Sequence, residues 1–240
     1  MSKKPARQNP VKGVGVWRDL EKLKHQSVAS TGLDRHLALL RNWQAQRLAR
    51  TYADLLARPN YRPACEFFLN DIYAARDFTQ RDHDIEQMYA FMRRVFPETL
   101  IHPLKLTVEV HALTRDLDER LRKVLITDCG VQDQITEAQY AEAYRRCDNY
   151  PERIRQIELV HKIGLELDDI VRQPISGIAL TLAKAPARRA GWVELTDFVE
   201  HGYHAFRTMR DTTYFLDTIR QREKRILDKI YAEEPEPFSI

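Results

Sequence analysis

Carboxylates and arginines alternate between residues 66 and 86, and this cluster is the strongest candidate for chemistry in the sequence. Its members are Glu66, Asp71, Arg76, Asp77, Arg81 and Asp82. Arginine and carboxylate side chains form bidentate pairs with a fixed geometry. The cluster predicts an ion-pair network that fixes a loop between two helices or, alternatively, a polar pocket in which Arg76 or Arg81 holds an anion. Acid/base catalysis by its carboxylates would also require shifted pKa values.

A metal centre is a second kind of candidate site in the sequence. Glu158 and His161 form a Glu-x-x-His motif, and Glu200 and His204 lie four residues apart, on one face of a helix. A di-iron bundle needs two Glu-x-x-His motifs and two further glutamates. His201 and His204 could bind zinc only with a third ligand. Because the second motif is missing, the sequence favours no metal and predicts no cofactor.

Motifs of several large enzyme classes do not occur in this chain. There is no Walker A loop, no HExxH, no GxSxG and no dinucleotide fingerprint. Asp168 and Asp169 resemble the start of an aspartate-rich magnesium motif, but Arg172 stands where that motif needs another acid. These common routes to phosphate, peptide and ester chemistry are therefore not predicted.

The cysteines indicate a reducing compartment. Cys65, Cys129 and Cys147 are odd in number and widely spaced, and no CxxC pair occurs. They are expected to be free thiols, which is typical of the cytoplasm. No apolar run is long enough to span a bilayer, so no membrane association is predicted.

Charge is concentrated at the N-terminus. The whole chain of 240 residues has a formal net charge of +3, yet residues 1–24 contain seven Lys or Arg residues against two acidic ones. Residues 1–30 are predicted to be a basic flexible leader with one short helix. Such a leader could contact nucleic acid, but the rest of the chain carries no positive surplus, so nucleic acid is not the favoured partner.

Apolar residues recur every three or four positions, and this pattern predicts an all-α protein. With only 8 Gly and 11 Pro, the chain should form eight or nine helices, mostly antiparallel neighbours in one bundle. The helical domain should cover residues 31–232, with a sub-boundary near 127–135, before a frayed acidic tail at 233–240. Thr136 and Gln139 fit a capping box at a helix start.

Three details of the helices are further predictions. Pro103 should begin a helix and Pro186 should end one. The helix between Pro174 and Pro186 should be buried through Ile175, Ile178, Leu182 and Ala185. Finally, Gln44 interrupts the apolar face of a helix over residues 33–57, so it lies either at the edge of a helix interface or in contact with a polar group inside a pocket.

The segment Phe67–Tyr73, with the sequence FFLNDIY, resembles the signature of a bacterial family named for its FFLEELY motif. Downstream Arg76-Asp77-Phe78 and Arg81-Asp82 are also similar to that family. The chain departs from the motif at Asn70, Asp71 and Ile72, which puts a shared carboxylate at position 70 in doubt. The resemblance implies a bacterial, intracellular helical protein and supplies no activity.

Three functional hypotheses follow from the sequence. The first is a non-enzymatic helical protein that binds a partner protein, a second copy of itself or a small ligand through region 66–86. The second is a helical-bundle enzyme with a carboxylate/arginine or metal site. The third is a nucleic-acid-associated factor that uses the basic N-terminal segment.

Overall fold

The computed structural model describes residues 34–74, 77–95 and 98–239, so the predicted leader and Arg76 lie outside the described residues. Over this part of the chain the fold is all-α, without a strand, as the sequence predicts. The helices are α1 (Arg35–Thr51), α2 (Ala53–Leu56), α3 (Arg62–Phe67), a π-helical turn (Phe68–Ile72), α4 (Thr79–Val95), α5 (Glu98–Thr127), α6 (Glu137–Cys147), α7 (Tyr150–Arg172), α8 (Pro174–Arg189), α9 (Val193–Thr208) and α10 (Thr212–Tyr231).

Side-chain caps fix the starts of several helices. At α1 the Asp34 carboxylate accepts hydrogen bonds from the backbone N–H groups of His36 and Leu37, at 3.0 and 3.1 Å. At α6 the predicted capping box between Thr136 and Gln139 is confirmed. Each cap satisfies N–H groups that have no partner inside the helix, so these boundaries follow from local sequence.

Two prolines do not bound helices as predicted. Helix α5 begins at Glu98 and continues through Pro103, and α8 continues through Pro186 to Arg189. A proline removes one hydrogen bond from the ladder, and the remaining bonds of a long helix offset that loss. Helix α8 ends at Arg189, two residues before Gly191, whose φ of 97° is a left-handed conformation that glycine adopts without strain.

Two apolar clusters form most of the core. The larger joins α1 to α3, α9 and α10, and its best-buried members are Leu55, Ala64, Phe215, Leu216 and Met209. The second joins α1 to α5 and α6 through Leu40, Leu121, Leu125, Tyr140 and Ala143. Helix α1 contributes to both clusters, so the space between them is enclosed by helices on several sides.

The predicted burial of the α8 apolar face is wrong. Ile175, Ile178 and Leu182 are 68%, 62% and 64% exposed, and Ala185 is exposed as well. Helix α8 packs on α9 through another side, where a Cβ on Gly177 would lie 2.7 Å from the Tyr203 hydroxyl. Periodicity shows which residues share a face, but it does not show whether another helix covers that face.

The C-terminal segment, for which fraying is predicted, makes tertiary contacts. The Phe238 ring lies 5.4 Å from that of Trp43 and 5.9 Å from that of Tyr140, and Lys229 donates a hydrogen bond to the Ser239 carbonyl at 2.8 Å.

Among the described helices, none has both the length and the apolarity needed to cross a lipid bilayer.

Candidate functional site: a polar interior pocket

Arg81 organises the predicted acid/arginine region. Its Nε and Nη2 atoms donate to Asp82 Oδ1 at 3.1 and 2.8 Å, and its Nη1 donates to the Asp71 carbonyl oxygen. The guanidinium also lies over the rings of Phe78 and Phe198, with centroids 3.9 and 4.7 Å away. Arg81 is buried, and its donors are occupied by protein atoms. Through its bond to the Asp71 carbonyl it connects α4 to the π turn.

The acidic residues of this region are held in separate contacts. Asp82 Oδ2 lies 2.8 Å from His111 Nε2; burial acts to raise the Asp82 pKa, but His111 and Arg81 outweigh it and lower the pKa. Asp71 Oδ1 lies 3.2 Å from His201 Nδ1, and Asp77 accepts from the Thr79 backbone N–H at 2.9 Å.

Glu66 is exposed on α3, away from these contacts. The predicted residues that the structure describes therefore do not converge on one cavity. Their contacts favour the interpretation as an ion-pair network, which joins α4 to the π turn and to α5.

Three of the four weak metal candidates are engaged in other polar contacts. Glu158 lies 3.6 Å from Arg220 and 3.4 Å from Lys224, and Glu200 pairs with Lys184 at 2.7 Å. His161 Nε2 lies 2.9 Å from Asp217 Oδ1. Within the described ranges, no three His, Cys, Asp or Glu side chains are grouped so that they could hold a metal ion, His204 included.

The structure instead contains a pocket between the two core clusters, with a cavity volume of about 110 Å³. It is enclosed by α1, the π turn and helices α5, α6, α7 and α10. Its polar lining comprises Gln44, Arg47, Tyr52, Tyr73, Thr114, Asp118, Tyr140, Tyr144, Arg153, Gln156, His161, Arg220 and Glu223. A volume of this size holds several water molecules or one small organic molecule.

The π turn gives the FFLNDIY segment two different faces. The Tyr73 N–H donates to the Phe68 carbonyl at 3.0 Å, the i→i+5 bond of a π-helix. Phe68, Leu69 and Tyr73 line the pocket. Phe67 and Asp71 turn to α9, where the Phe67 and Phe198 rings lie 5.3 Å apart. π-Helical turns occur frequently at functional sites.

A buried ion pair spans the pocket from α1 to α10. Arg47 Nη1 donates to Glu223 Oε1 at 2.5 Å, and the Tyr52 hydroxyl donates to the same oxygen at 2.7 Å. Burial acts to lower the Arg47 pKa, but the Glu223 carboxylate outweighs it and the pKa is raised. Burial, together with Glu223, raises the pKa of the Tyr52 hydroxyl well above its usual value, so Tyr52 stays a hydrogen-bond donor.

Arg153 is the second buried cation of the pocket. Its Nη1 donates to Gln156 Oε1 at 3.2 Å and its Nη2 to the Leu117 carbonyl at 3.3 Å. The guanidinium carbon lies 4.4 Å from the centroid of the Tyr144 ring. At 4% exposure, Arg153 keeps its charge in a site that water reaches poorly.

Three buried polar atoms on the lining have no hydrogen-bond partner within the described protein. They are Arg47 Nε, Arg153 Nε and Gln44 Oε1. An unpaired buried donor or acceptor costs about 1–3 kcal/mol, so such atoms are normally satisfied by water or by a ligand. Two of the three atoms are donors on groups that are always positively charged.

Comparison with known protein families assigns this chain to one of them. The sequence model of a domain of unknown function, DUF8198, matches residues 23–237. The chain belongs to the DUF8198 family. The match includes every helix described above and therefore the entire pocket. Neither the comparison with curated proteins nor the comparison with solved structures found a match for this DUF8198 chain.

Gln44 is one of the pocket residues of the DUF8198 chain that a sequence signal indicates; His161 and the FFLNDIY segment are others. Gln44 interrupts an apolar stripe, and the pocket interpretation is the correct one, because Gln44 is 6% exposed and its Nε2 donates to Asp118 Oδ1 at 3.2 Å. Arg153 and Glu223 lie in polar stretches of their helices, where nothing in the sequence distinguishes them from surface residues. Their presence in one pocket depends on how α7 and α10 pack.

Cys65 also lines the pocket, but it is a poor nucleophile. Burial raises the pKa of its thiol to about 11. The thiol is therefore protonated at neutral pH, and the thiolate is the reactive form. Cys65 serves as a small apolar part of the wall.

Asp118 should make the DUF8198 chain less stable as the pH rises. Burial raises the pKa of Asp118, so the folded state holds this proton more tightly than the unfolded state does. The protonated acid therefore favours folding, and stability is lost as pH rises above about 3.9, the unfolded value. We expect Asp118→Asn to gain stability relative to the wild type between pH 4 and 7, as measured by the midpoint of thermal unfolding.

Asp116→Asn is the matched control, because Asp116 is on the same helix and its side chain is 54% exposed. This control should show a much smaller pH-dependent difference from the wild type. An Asp118→Asn variant whose stability relative to the wild type falls between pH 4 and 7 would contradict the effect of burial.

Proposed function

We propose that this protein binds a small carboxylic acid with an apolar body in the interior pocket, without a catalytic step. The observation that carries this proposal is the presence of two buried arginines, Arg47 and Arg153, whose Nε donors lack partners on the lining of one cavity. A carboxylate is a planar acceptor that matches guanidinium N–H groups in charge and geometry.

The electrostatic balance of the pocket supports an anion. Glu223 neutralises the charge of Arg47 directly. Because the pKa of Asp118 is raised, Asp118 neutralises the charge of Arg153 less completely. One ligand carboxylate would therefore complete the pairing. A ligand with two carboxylates would place one of them near Glu223, at a cost in repulsion.

The walls select an apolar body. Leu48, Phe68, Ile157, Val160, Phe215, Leu216 and Ile219 all line the cavity. An apolar group gains roughly 25 cal/mol for each Å² removed from water, whereas a second polar group would find few partners on these walls. The cavity volume limits the body to a ring or a short chain.

Calorimetric titration with benzoate and hexanoate, each compared with its amide, tests the proposal. The acids should bind and the amides should not. An acid present at 100 times its dissociation constant stabilises the fold by about 2.7 kcal/mol, or roughly 5–10 °C for a chain of this size. Mass spectrometry of small molecules released from the protein purified from its own cells should find a monocarboxylic acid.

Arg153→Met is expected to weaken binding of the acids by a factor of 100 or more, since a buried charge-assisted bond is lost. Arg155→Met is the matched control, because Arg155 lies two residues away with its side chain 64% exposed and pairs with Glu109. Equal binding of acids and amides, or equal effects of the two variants, would show that the pocket does not recognise a carboxylate.

One contact favours an enzyme as the second candidate. His161 lines the same pocket, and Asp217 Oδ1 accepts a hydrogen bond from its Nε2 at 2.9 Å. A histidine held by a carboxylate can act as a general base on a bound molecule. Mass analysis of each bound acid after long incubation with the protein decides this, because an unchanged acid contradicts a catalytic role.

We further propose that the FFLNDIY segment is a divergent FFLEELY motif and that the protein is bacterial and cytoplasmic. The π turn at this segment supports a motif with its own structural role. The free thiols of Cys65, Cys129 and Cys147 support a reducing compartment. Fractionation of the source cells tests the location, and recovery in a secreted fraction would contradict it.

A further inference from the structure

Helix α8 presents an apolar stripe to solvent. Ile175, Ile178 and Leu182 are each more than 60% exposed, and Ala185 continues the stripe with spacings of three, four and three residues. This is the a/d pattern with which two helices interlock. No residue of this 16-residue helix is buried. Contiguous exposed apolar side chains of this kind mark interaction surfaces.

Exposed charges of opposite sign flank the stripe along the sequence. Asp169 is exposed at the end of α7, five residues before α8 begins, and Arg189 is exposed in the last turn of α8. Neither has an ion-pair partner among the residues that the structure describes. The other basic residues of α8 are engaged, since Lys184 pairs with Glu200 and Arg188 with Asp197.

We propose that α8 pairs antiparallel with α8 of a second copy of this chain, forming a two-fold symmetric dimer. In an antiparallel arrangement, Asp169 at one end of the stripe meets the partner's Arg189, and the same contact repeats at the other end. The apolar stripes then face each other along the helix. A two-fold interface needs a self-complementary surface of this type.

The basic leader is a poorer occupant of this face. Residues 1–24 contain seven Lys or Arg residues against two acidic ones, and Arg189, the charged residue of α8 without an ion-pair partner in the described part of the chain, is also basic. Like charges disfavour that contact, whereas the antiparallel pairing of two α8 helices brings opposite charges together. A second copy is therefore the occupant that the charges select.

Sedimentation equilibrium of the full-length protein between 1 and 100 µM tests the proposal. The wild type should show twice the chain mass of 28.2 kDa. Leu182→Glu should raise the dissociation constant by at least about 100-fold, because each copy would bury an unpaired charge against the partner's Ile178. Since Leu182 is exposed in the single chain, this variant should keep the wild-type circular dichroism spectrum and unfold in one cooperative transition.

Tyr214→Glu is the matched control, because Tyr214 is another exposed large apolar residue, at 42%, on a different helix. It should leave the dimer unchanged. A wild-type monomer at 100 µM, or a dimer unaffected by Leu182→Glu, overturns the proposal. If the wild type is a monomer and Leu182→Glu makes residues 1–33 more sensitive to limited proteolysis, the face belongs to the N-terminal segment.

A charge exchange tests the antiparallel direction. Asp169→Arg and Arg189→Asp should each weaken the dimer by about three- to tenfold, the range expected for two exposed ion pairs. The double variant should return to within about twofold of the wild type, because both pairs are restored with reversed polarity. A double variant as weak as the sum of the single changes overturns the antiparallel pairing.

Discussion

Replacing Glu223 with alanine should destabilise the protein by about 3–5 kcal/mol. The change leaves Arg47, whose side chain is 9% exposed, as a buried charge without its counterion, and it also removes the acceptor of the Tyr52 hydroxyl. Uncompensated buried charges carry penalties of this size. Chemical denaturation measured by circular dichroism gives the free energy of unfolding for comparison with the wild type.

The double variant Arg47→Met, Glu223→Leu removes both charges of the pair and with them the cost of burying those charges. Because apolar residues of similar volume replace a buried ion pair at little net cost, its free energy of unfolding should lie within about 1 kcal/mol of the wild type. Glu142→Ala is the exposed control: Glu142 pairs with Arg145 and Arg146 on the surface and should contribute about 1 kcal/mol or less. A double variant as unstable as Glu223→Ala would contradict this explanation.

Phe215→Ala should cost about 3–5 kcal/mol and enlarge the pocket. Phe215 is 1% exposed, lines the cavity, and lies 5.6 Å from the Tyr61 ring and 6.2 Å from the Phe68 ring, centroid to centroid. Deleting a buried ring loses both its transfer free energy and the packing around it. Chemical denaturation measures the loss, and titration should show that the variant accepts longer acids than the wild type.

Tyr214→Ala is the control for Phe215, since the two residues are adjacent and both rings stack on Tyr61. Tyr214 is 42% exposed, so its removal should cost about 1 kcal/mol or less. Equal losses in the two variants would mean that ring stacking, and not burial, determines the contribution of Phe215.

The helices were largely predictable because their signals are local. The Thr136–Gln139 capping box follows from residues within one turn of the helix start. The helix boundaries predicted at Pro103 and Pro186 were wrong, because a proline lowers helix propensity without forbidding a helix that packing stabilises. Helix α8 ends instead at Arg189, two residues before Gly191.

The candidate site was not predictable in the same way. The cluster at 66–86 was found from its composition, yet Arg81 binds the π turn and Asp82, and Asp82 also contacts His111 of α5. The pocket combines Arg47, Arg153 and Glu223, which are far apart in the chain and unremarkable in their own helices. No local sequence pattern indicates that α1, α7 and α10 bring these three residues to one pocket.

The sequence by itself determined the all-α class, most helix boundaries and which residues share a face, since those depend on propensity, capping and a 3.6-residue period. Only the tertiary structure decided which faces are covered. Burial of Arg47 and exposure of Leu182 are both outcomes of how whole helices pack, and the period of a single helix is the same whether a neighbour lies against it or not.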